Sequence, residues 1–269
     1  MEKIEVNSTR APAVAGSFYP ADATELESAV AGYLAAVPNL REPSRAPKAL
    51  IVPHAGFVYS GPVAASGYAR IARLRNSIRR VVLLGPSHRV ALRGLAVSGA
   101  DAFVTPMGAI PLDRGAIDRV LALPQVQLLE EAHRGEHSLE VQLPFLQVQL
   151  AEFCLVPLAV GDATPEEVDE VIEQLWGGTE TLIVVSSDLS HYYDYETARD
   201  LDAATSRAIE ALDPSGLNSE SACGRVPARG LLLAAKRHAL SVETVDLRSS
   251  GDTAGNRHEV VGYGSYVFA

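Results

Sequence analysis

Residues 49–61 read ALIVPHAGFVYSG, an apolar run of strand length that is followed at once by a histidine and a glycine-containing turn. A short apolar run without polar alternation is typical of a strand that is buried on both faces of a sheet. Similar runs recur as VVLL (81–84), FCLVPLAV (153–160) and TLIVVSS (181–187). We therefore expect a sheet that is covered by helices on both sides.

Segments with helical character alternate with these strands. The clearest is TPEEVDEVIEQLW (164–176), where Thr164 is placed to cap the helix and Glu167 to close a capping box. Further helices are predicted at 22–36, 62–74, 140–150, 196–212 and 228–239, and further strands at 95–99, 242–248 and 259–269. The order predicts an α/β fold, a three-layer α/β/α sandwich with a largely parallel or mixed central sheet.

The composition bounds the functional class. The chain has 269 residues and is 47% hydrophobic, without a linker or low-complexity tract, so we expect a single domain over 1–269. A net charge of -10 argues against nucleic-acid binding. No apolar stretch approaches the roughly 18 residues that span a membrane. Two cysteines are too few for a disulfide framework, so we expect a cytoplasmic protein with reduced thiols.

Polar residues follow three of the predicted strands at similar positions. His54 follows ALIVP, His88 follows VVLLGPS, and Asp188 and His191 follow TLIVVSS. A single histidine after a strand is more often a hydrogen-bonded loop residue. Because ligands bind outside the carboxyl ends of strands in open α/β sheets, the recurrence favours convergence of His54, His88 and His191 in one pocket.

The other histidines give weaker indications. Glu136 and His137 precede a predicted helix, where they could line the pocket, but capping and local ion pairing by Glu136 are equally consistent with the sequence. His133, His238 and His258 occupy polar loops or a helix end, and we expect all three at the surface.

The two cysteines differ in setting. Cys154 lies in an apolar strand and is interpreted as a small buried hydrophobe. Cys223 stands before Gly224 and Arg225 at a predicted helix start, a setting that can lower the pKa of a thiol. As a lone cysteine, Cys223 is still more often structural than reactive.

Two or three histidines with one anionic residue are typical of a metal site. Two histidines and a carboxylate suit non-haem Fe(II), and a mixture of cysteine and histidine also suits zinc or copper. The chain has no HExxH, CxxC, P-loop or GxSxG motif. A hydrolase remains open, because Ser187 and Ser190 accompany Asp188 and His191.

Five motifs in fixed order give a more specific indication. They are PHAGFVYSG (53–61), GPSHR (85–89), EHSLEVQLPFL (136–146), SSDLSH (186–191) and CGRVPARGLLLAA (223–235), and GSFYP (16–20) and YGSYVF (263–268) accompany them. The set resembles the Memo family over nearly the whole chain. Bacterial and archaeal members of that family are called AmmeMemoRadiSam system protein B.

The resemblance implies a fold similar to that of class III extradiol ring-cleaving dioxygenases, which use non-haem Fe(II). It places the metal ligands at His54, His88 and Cys223. It also assigns the aspartate and histidine of the SSDxxH motif to Asp188 and His191. We expect His191 to act as an acid or base and Asp188 either to orient His191 or to bind the metal. The dioxygenases have a glutamate ligand, so a thiolate at Cys223 departs from their pattern.

The resemblance further implies which residues line the pocket. Phe18 and Tyr59 fall at pocket positions of the family, and Phe18 stands where eukaryotic relatives have a tryptophan. Functions suggested for the family include redox or iron and copper handling and, for its eukaryotic members, binding of phosphotyrosine-type peptides. The name of the bacterial branch implies partnership with a radical SAM protein.

Three functions are consistent with these observations. The first is a mononuclear Fe(II) or copper protein with redox or dioxygenase-type chemistry on a small-molecule or peptide substrate. The second is a non-catalytic module that binds a peptide or an anion in the same pocket. The third is a zinc-dependent hydrolase.

Overall fold

A computed structural model of the chain describes residues 8–38 and 45–269. The helices are α1 (Ala23–Ala35), α2 (Phe57–Tyr68), α3 (Arg114–Val120), α4 (Glu131–Arg134), α5 (Leu143–Gln149), α6 (Pro165–Leu175), α7 (Tyr195–Glu210) and α8 (Arg225–Arg237). The strands are β1 (Thr9–Arg10), β2 (Ala49–Val52), β3 (Arg80–Pro86), β4 (Leu95–Val97), β5 (Ala102–Thr105), β6 (Gly108–Pro111), β7 (Val126–Leu128), β8 (Cys154–Val160), β9 (Thr181–Ser186), β10 (His191–Tyr193), β11 (Val242–Ser249) and β12 (Val260–Phe268). Short 3₁₀ turns include Glu140–Gln142, which leads directly into α5.

A mixed sheet of nine strands forms the centre of this part of the chain. Its order is β10-β12-β2-β9-β3-β8-β4-β7, and β11 also pairs with β12. The neighbours β2, β9, β3 and β8 run parallel, whereas β12 is antiparallel to β2. Parallel strands end at the same edge of a sheet, so the residues that follow β2, β9 and β3 lie side by side. A second, smaller sheet of order β1-β5-β6 was not predicted.

The central strands are buried on both faces, as their continuous apolar runs predict. Every residue of β2 and β9 is buried. The helices pack in two groups, with α1, α2 and α5 in mutual contact and α6 in contact with α3 and α8. The predicted mixed α/β fold is therefore confirmed. The predicted single domain includes residues 1–7 and 39–44, which lie outside the described residues.

The start of α6 was predicted correctly from the local sequence, and the start of α2 was not. At α6, Thr164 and Glu167 form the predicted capping box. The start predicted for α2 at Pro62 is wrong, because the helix begins at Phe57 and contains Pro62 in its interior. Proline favours the first helical turn, and for this reason Pro62 was taken to indicate a helix start. Here the amide of Ser60 already donates to the Gly56 carbonyl, so the helix is established before Pro62.

Within the described residues, no helix combines the length and apolar character that crossing a membrane would require.

Candidate metal site

The residues that follow three parallel strands meet at one edge of the sheet. β9 lies between β2 and β3 and pairs with both, with Val52 opposite Ser186. His54, His88 and Asp188 each come two residues after the end of their strand. The sheet therefore brings these three side chains to neighbouring positions, as the strand-end rule predicts.

His54, His88 and Cys223 form a group of candidate metal ligands. Each offers one ligand atom, and the three atoms lie within 4.8 Å of one another. His54 Nε2 is 3.4 Å from Cys223 Sγ, and the two imidazole centroids are 5.3 Å apart. His54 is buried, whereas the side chain of His88 is 30% exposed. The group therefore opens to solvent on the His88 side.

Cys223 reaches the group because its loop lies against the end of β9. The amide of Asp188 donates to Cys223 Sγ at 3.3 Å, and the amide of Cys223 donates to the Asp188 carbonyl at 3.3 Å. A Cβ at Gly224 would come within 2.5 Å of the Ser187 side chain, so this close approach needs a glycine. The CG pair in the sequence thus places the thiol beside His54.

His54 is held from two sides and is neutral in the metal-free protein. Its amide donates to Asp188 Oδ1 at 2.7 Å, and its Nδ1 lies 2.9 Å from Ser186 Oγ. Burial, together with the nearby His88, lowers the pKa of His54 to about 3. The ring therefore enters the site as an uncharged imidazole at neutral pH.

Glu136 orients His88. Its carboxylate accepts from the His88 amide at 2.6 Å and lies 2.9 Å from His88 Nδ1. Burial alone would raise the pKa of Glu136, but hydrogen bonds from His88 and Ser138 outweigh it and lower the pKa to about 2. Glu136 also accepts from the amides of His137 and Ser138, so it makes the expected local ion pair and hydrogen bonds, whereas the helical turn that follows has no side-chain cap.

His137 and Phe18 form one wall beside the histidines. The His137 ring stacks on His88 with centroids 4.7 Å apart, and it lies 4.8 Å from the Phe18 ring. The amide of Phe57 donates to the Phe18 carbonyl at 2.8 Å, which ties this wall to the start of α2. Burial lowers the pKa of His137 to about 4. Together with Glu136, His137 and His88 form a second group whose candidate ligand atoms lie within 4.8 Å.

The thiol of Cys223 differs from the sequence expectation. Burial raises its pKa well above the ordinary value, and the adjacent carboxylate of Asp188 raises it further. The expectation of a lowered pKa at a helix start is therefore wrong for the metal-free protein. A cation at the site would reverse this effect, because a coordinating thiol is deprotonated by the metal.

Asp188 and His191 lie at the same edge but outside the group of three candidate ligands. Asp188 is buried, and burial raises the pKa of its carboxyl. His191 begins β10, and its Nδ1 lies 2.8 Å from the Leu189 carbonyl. The charge of His191 is among the influences on the pKa of Asp188 and of His54, so the three residues lie near one another.

Tyr263 lies near Asp188, and Tyr59 and Tyr192 lie near Tyr263. Tyr59 lies in the first turn of α2 and is 40% exposed, and Tyr192 is exposed with a φ of 63°. Tyr263 is buried, and burial followed by the charge of Asp188 raises the pKa of its hydroxyl, with smaller contributions from Tyr59 and Tyr192. Tyr263 was missed as a site residue, although it begins the YGSYVF segment, because that segment contains no histidine, cysteine or carboxylate that would indicate a site.

Three surface expectations for histidines have different outcomes. His258 is exposed, as expected. His133 is buried, with Nε2 3.1 Å from the Ala96 carbonyl, so its placement at the surface is wrong. His238 is exposed, as expected, and its ring stacks on Trp176 with centroids 3.8 Å apart. Cys154, expected to be buried, is partly exposed at the first position of β8.

Comparison with known proteins identifies the family of the chain. The family model described as Memo-like protein matches residues 10–267. A MEMO1 family protein from Aquifex aeolicus is 37% identical and covers 96% of this chain and 98% of its own length. Another from Sulfolobus acidocaldarius is 33% identical and covers 96% and 99%. An uncharacterized Escherichia coli K12 protein, JW3007, has a similar fold, with a TM-score of 0.51 and 13% identity over 84% of this chain and all of its own. The chain therefore belongs to the Memo family.

Proposed function

We propose that this protein holds a single metal ion between His54, His88 and Cys223 and uses it in redox or dioxygenase-type chemistry. The convergence of these three ligand atoms within 4.8 Å is the observation that carries the proposal. They come from three separate loops that meet at the same edge of the sheet.

The donor set fits a metal ion. His54 is an uncharged imidazole, and His88 is oriented by the carboxylate of Glu136. A ligating histidine typically bonds its second ring nitrogen to such a partner. The Cys223 thiol supplies the anionic ligand once a cation displaces its proton.

Fe(II) is the metal that we propose, with copper and zinc as the alternatives that metal analysis separates. Imidazole suits all three metals, and thiolate favours copper and zinc. The family resemblance favours iron, and three protein ligands leave coordination positions open. When bound, Fe(II) supplies redox chemistry and positions at which a substrate can bind.

Asp188 and His191 are proposed to move protons at this site. Because His191 Nδ1 donates to the Leu189 carbonyl, its Nε2 is left to accept a proton. Histidine is the side chain best suited to exchange protons near neutral pH. Asp188 holds the His54 amide and presents a buried carboxylate to the same space.

The substrate is proposed to bind on the exposed side of His88. Phe18 and His137 form an aromatic wall there, and Glu136 contacts His88 next to this wall. Tyr59 provides a partly exposed phenol close to the same edge. A planar small molecule or a peptide side chain suits a wall of this kind. A radical SAM protein is the partner that we propose from the family resemblance.

Metal content tests the proposal. After anaerobic purification, we expect about one iron per chain in the wild type and a loss of about tenfold or more in His54→Ala, His88→Ala and Cys223→Ser. Cys154→Ser and His258→Ala are matched controls that should retain the metal. Equal metal content in all six proteins would overturn the ligand assignment.

Further outcomes separate the alternative functions. His191→Asn should keep the metal and lose turnover, and loss of metal instead would make His191 a ligand. Zinc in place of iron would favour the hydrolase, with ester and amide substrates as the assay. A wild type that binds no metal but still binds peptides or anions would favour the non-catalytic module.

A further inference from the structure

We propose that Gln142 and Ser186 are positioning residues that fix the tautomer of His54, with the proton on Nδ1 and the lone pair on Nε2. The consequence for metal binding rests on the proposed function, but the tautomer itself is a property of the metal-free protein. Neither residue belongs to the predicted site. They lie behind His54, on the side away from Cys223.

The hydroxyl of Ser186 has one hydrogen, and its direction is fixed. Ser186 Oγ donates to the Ser138 carbonyl at 2.6 Å. Gln142 Nε2 lies 2.7 Å from the same oxygen, and His54 Nδ1 lies 2.9 Å from it. A hydroxyl that has already used its hydrogen can only accept from the other two groups.

The orientation of the Gln142 amide is fixed as well. Its Nε2 donates to the Pro53 carbonyl at 2.9 Å and to Ser186 Oγ, which uses both of its hydrogens. Its Oε1 accepts from the Tyr68 hydroxyl at 3.0 Å. A flipped amide would set the Gln142 oxygen against the Pro53 carbonyl, so this arrangement alone satisfies every group.

The remaining lone pair of Ser186 Oγ therefore meets a hydrogen on His54 Nδ1. In the tautomer with its hydrogen on Nε2, the lone pair of His54 Nδ1 would face the lone pair of Ser186 Oγ, whose only hydrogen is already donated to the Ser138 carbonyl. His54, Ser186 and Gln142 are all buried, with 2%, 0% and 0% exposure, so solvent does not supply a substitute partner. With the proton on Nδ1, the lone pair of Nε2 faces Cys223 Sγ.

The two histidines of the site are thus oriented by different means. A carboxylate lies behind His88, whereas a chain of neutral groups running from Tyr68 to Ser138 lies behind His54. The neutral chain fixes the proton position at His54 without adding a second buried charge behind the site.

Nitrogen-15 NMR of the histidine rings in the metal-free protein tests this assignment directly. We expect wild-type His54 to show the tautomer with hydrogen on Nδ1, and this measurement needs no variant. In Ser186→Ala we expect a mixture of tautomers. Wild-type His54 with its hydrogen on Nε2, or an unchanged spectrum in Ser186→Ala, would overturn the proposal.

Metal affinity provides the second readout, with Fe(II) and Zn(II) as the probes. Loss of such a partner weakens metal binding by about 10- to 100-fold, and we expect this loss in Ser186→Ala and Gln142→Met. Ser186→Thr keeps the hydroxyl and should restore both the tautomer and the affinity. Ser265→Ala is the matched control, because Ser265 is buried in β12 and its hydroxyl has no hydrogen-bond partner among the described residues.

The two readouts separate this proposal from the proposed function. A wild type that binds neither metal, but whose His54 tautomer responds to Ser186→Ala, would refute the metal site and support the positioning role. If metal binding depends on His54, but neither the tautomer nor the metal affinity changes in Ser186→Ala and Gln142→Met, the metal site would be supported and the positioning role refuted.

Discussion

Cys223 lies where its thiolate is disfavoured until a cation is present. Burial raises the pKa of the thiol, and the carboxylate of Asp188 raises it further. His54, beside it, has a pKa lowered to about 3 by burial and by His88. The metal-free site therefore holds a protonated thiol next to a neutral imidazole, and metal binding must expel the thiol proton.

This proton gives metal binding a pH dependence with a definite sign. Because the pKa of Cys223 lies above neutrality, we expect the apparent affinity for Zn(II) to rise by about tenfold or more for each pH unit between pH 6 and 8. His54 is already neutral throughout that range and adds no proton. Competition titrations with a chelator measure the slope.

Two variants serve as comparisons for that slope. Cys154→Ser should leave the slope of affinity against pH unchanged. Cys223→Ser should weaken binding and reduce the number of protons released on metal binding by about one. An affinity that is independent of pH in the wild type would mean that no thiol proton is lost, and it would contradict the role given to Cys223.

At the scale of elements, α7 is tied to the His191 loop and to β12 by one buried carboxylate. Asp202 accepts from the Ser190 amide at 3.0 Å, one residue before His191. A Cβ at Gly262 would come within 1.9 Å of the Asp202 carboxylate, so β12 needs a glycine there. Burial raises the pKa of Asp202 to about 6, with hydrogen bonds from Ser190 acting in the opposite direction.

The raised pKa predicts that Asp202 lowers stability above pH 6. A carboxyl whose folded pKa exceeds its unfolded value contributes its full stability below pH 3.8 and loses it as pH rises through 6. Asp202→Asn keeps an acceptor for the Ser190 amide. We therefore expect it to raise the free energy of unfolding at pH 7.5 by up to about 3 kcal/mol, and to have little effect near pH 3.5.

Urea unfolding at the two pH values measures this difference. Asp200→Asn, on the same helix but exposed, is the control and should change stability little at either pH. A destabilised Asp202→Asn at pH 7.5 would show that the charged carboxylate is favoured by contacts other than those identified.

The elements also show what local sequence can predict. The capping box of α6 is formed by residues three apart, so the sequence contains the whole signal. The start of α2 depends on a hydrogen bond from the Ser60 amide to the Gly56 carbonyl, and neither residue type predicts that bond. The strand ends at His54 and His88 were predictable, because continuous apolar runs mark buried strands and parallel strands share an edge.

At the scale of the whole molecule, the N-terminal segment is fastened to the site by contacts that sequence does not reveal. Arg10 pairs with the buried Glu140 and donates to the carbonyls of His133 and Glu136. Glu140 also accepts from the amide of Val14 at 3.0 Å. These partners lie more than 120 residues apart, so spacing gives no sign of them.

Site residues could be predicted only where the sequence near them carries a signal. His54 and His88 were indicated by strand position alone, whereas Cys223 required the family resemblance. Ser186 and Gln142 were missed because a serine that ends a strand and a glutamine near a helix start are common in structural roles. Only the assembled fold reveals that both lie behind His54.

The most direct test of the metal site is the X-ray absorption fine structure of the zinc-loaded protein. We predict one sulfur neighbour at about 2.3 Å and two imidazole nitrogens at about 2.0–2.1 Å, with the sulfur lost in Cys223→Ser and one imidazole lost in His88→Ala. A wild-type metal shell with only nitrogen and oxygen neighbours would contradict the assignment of Cys223, and with it the three-residue site.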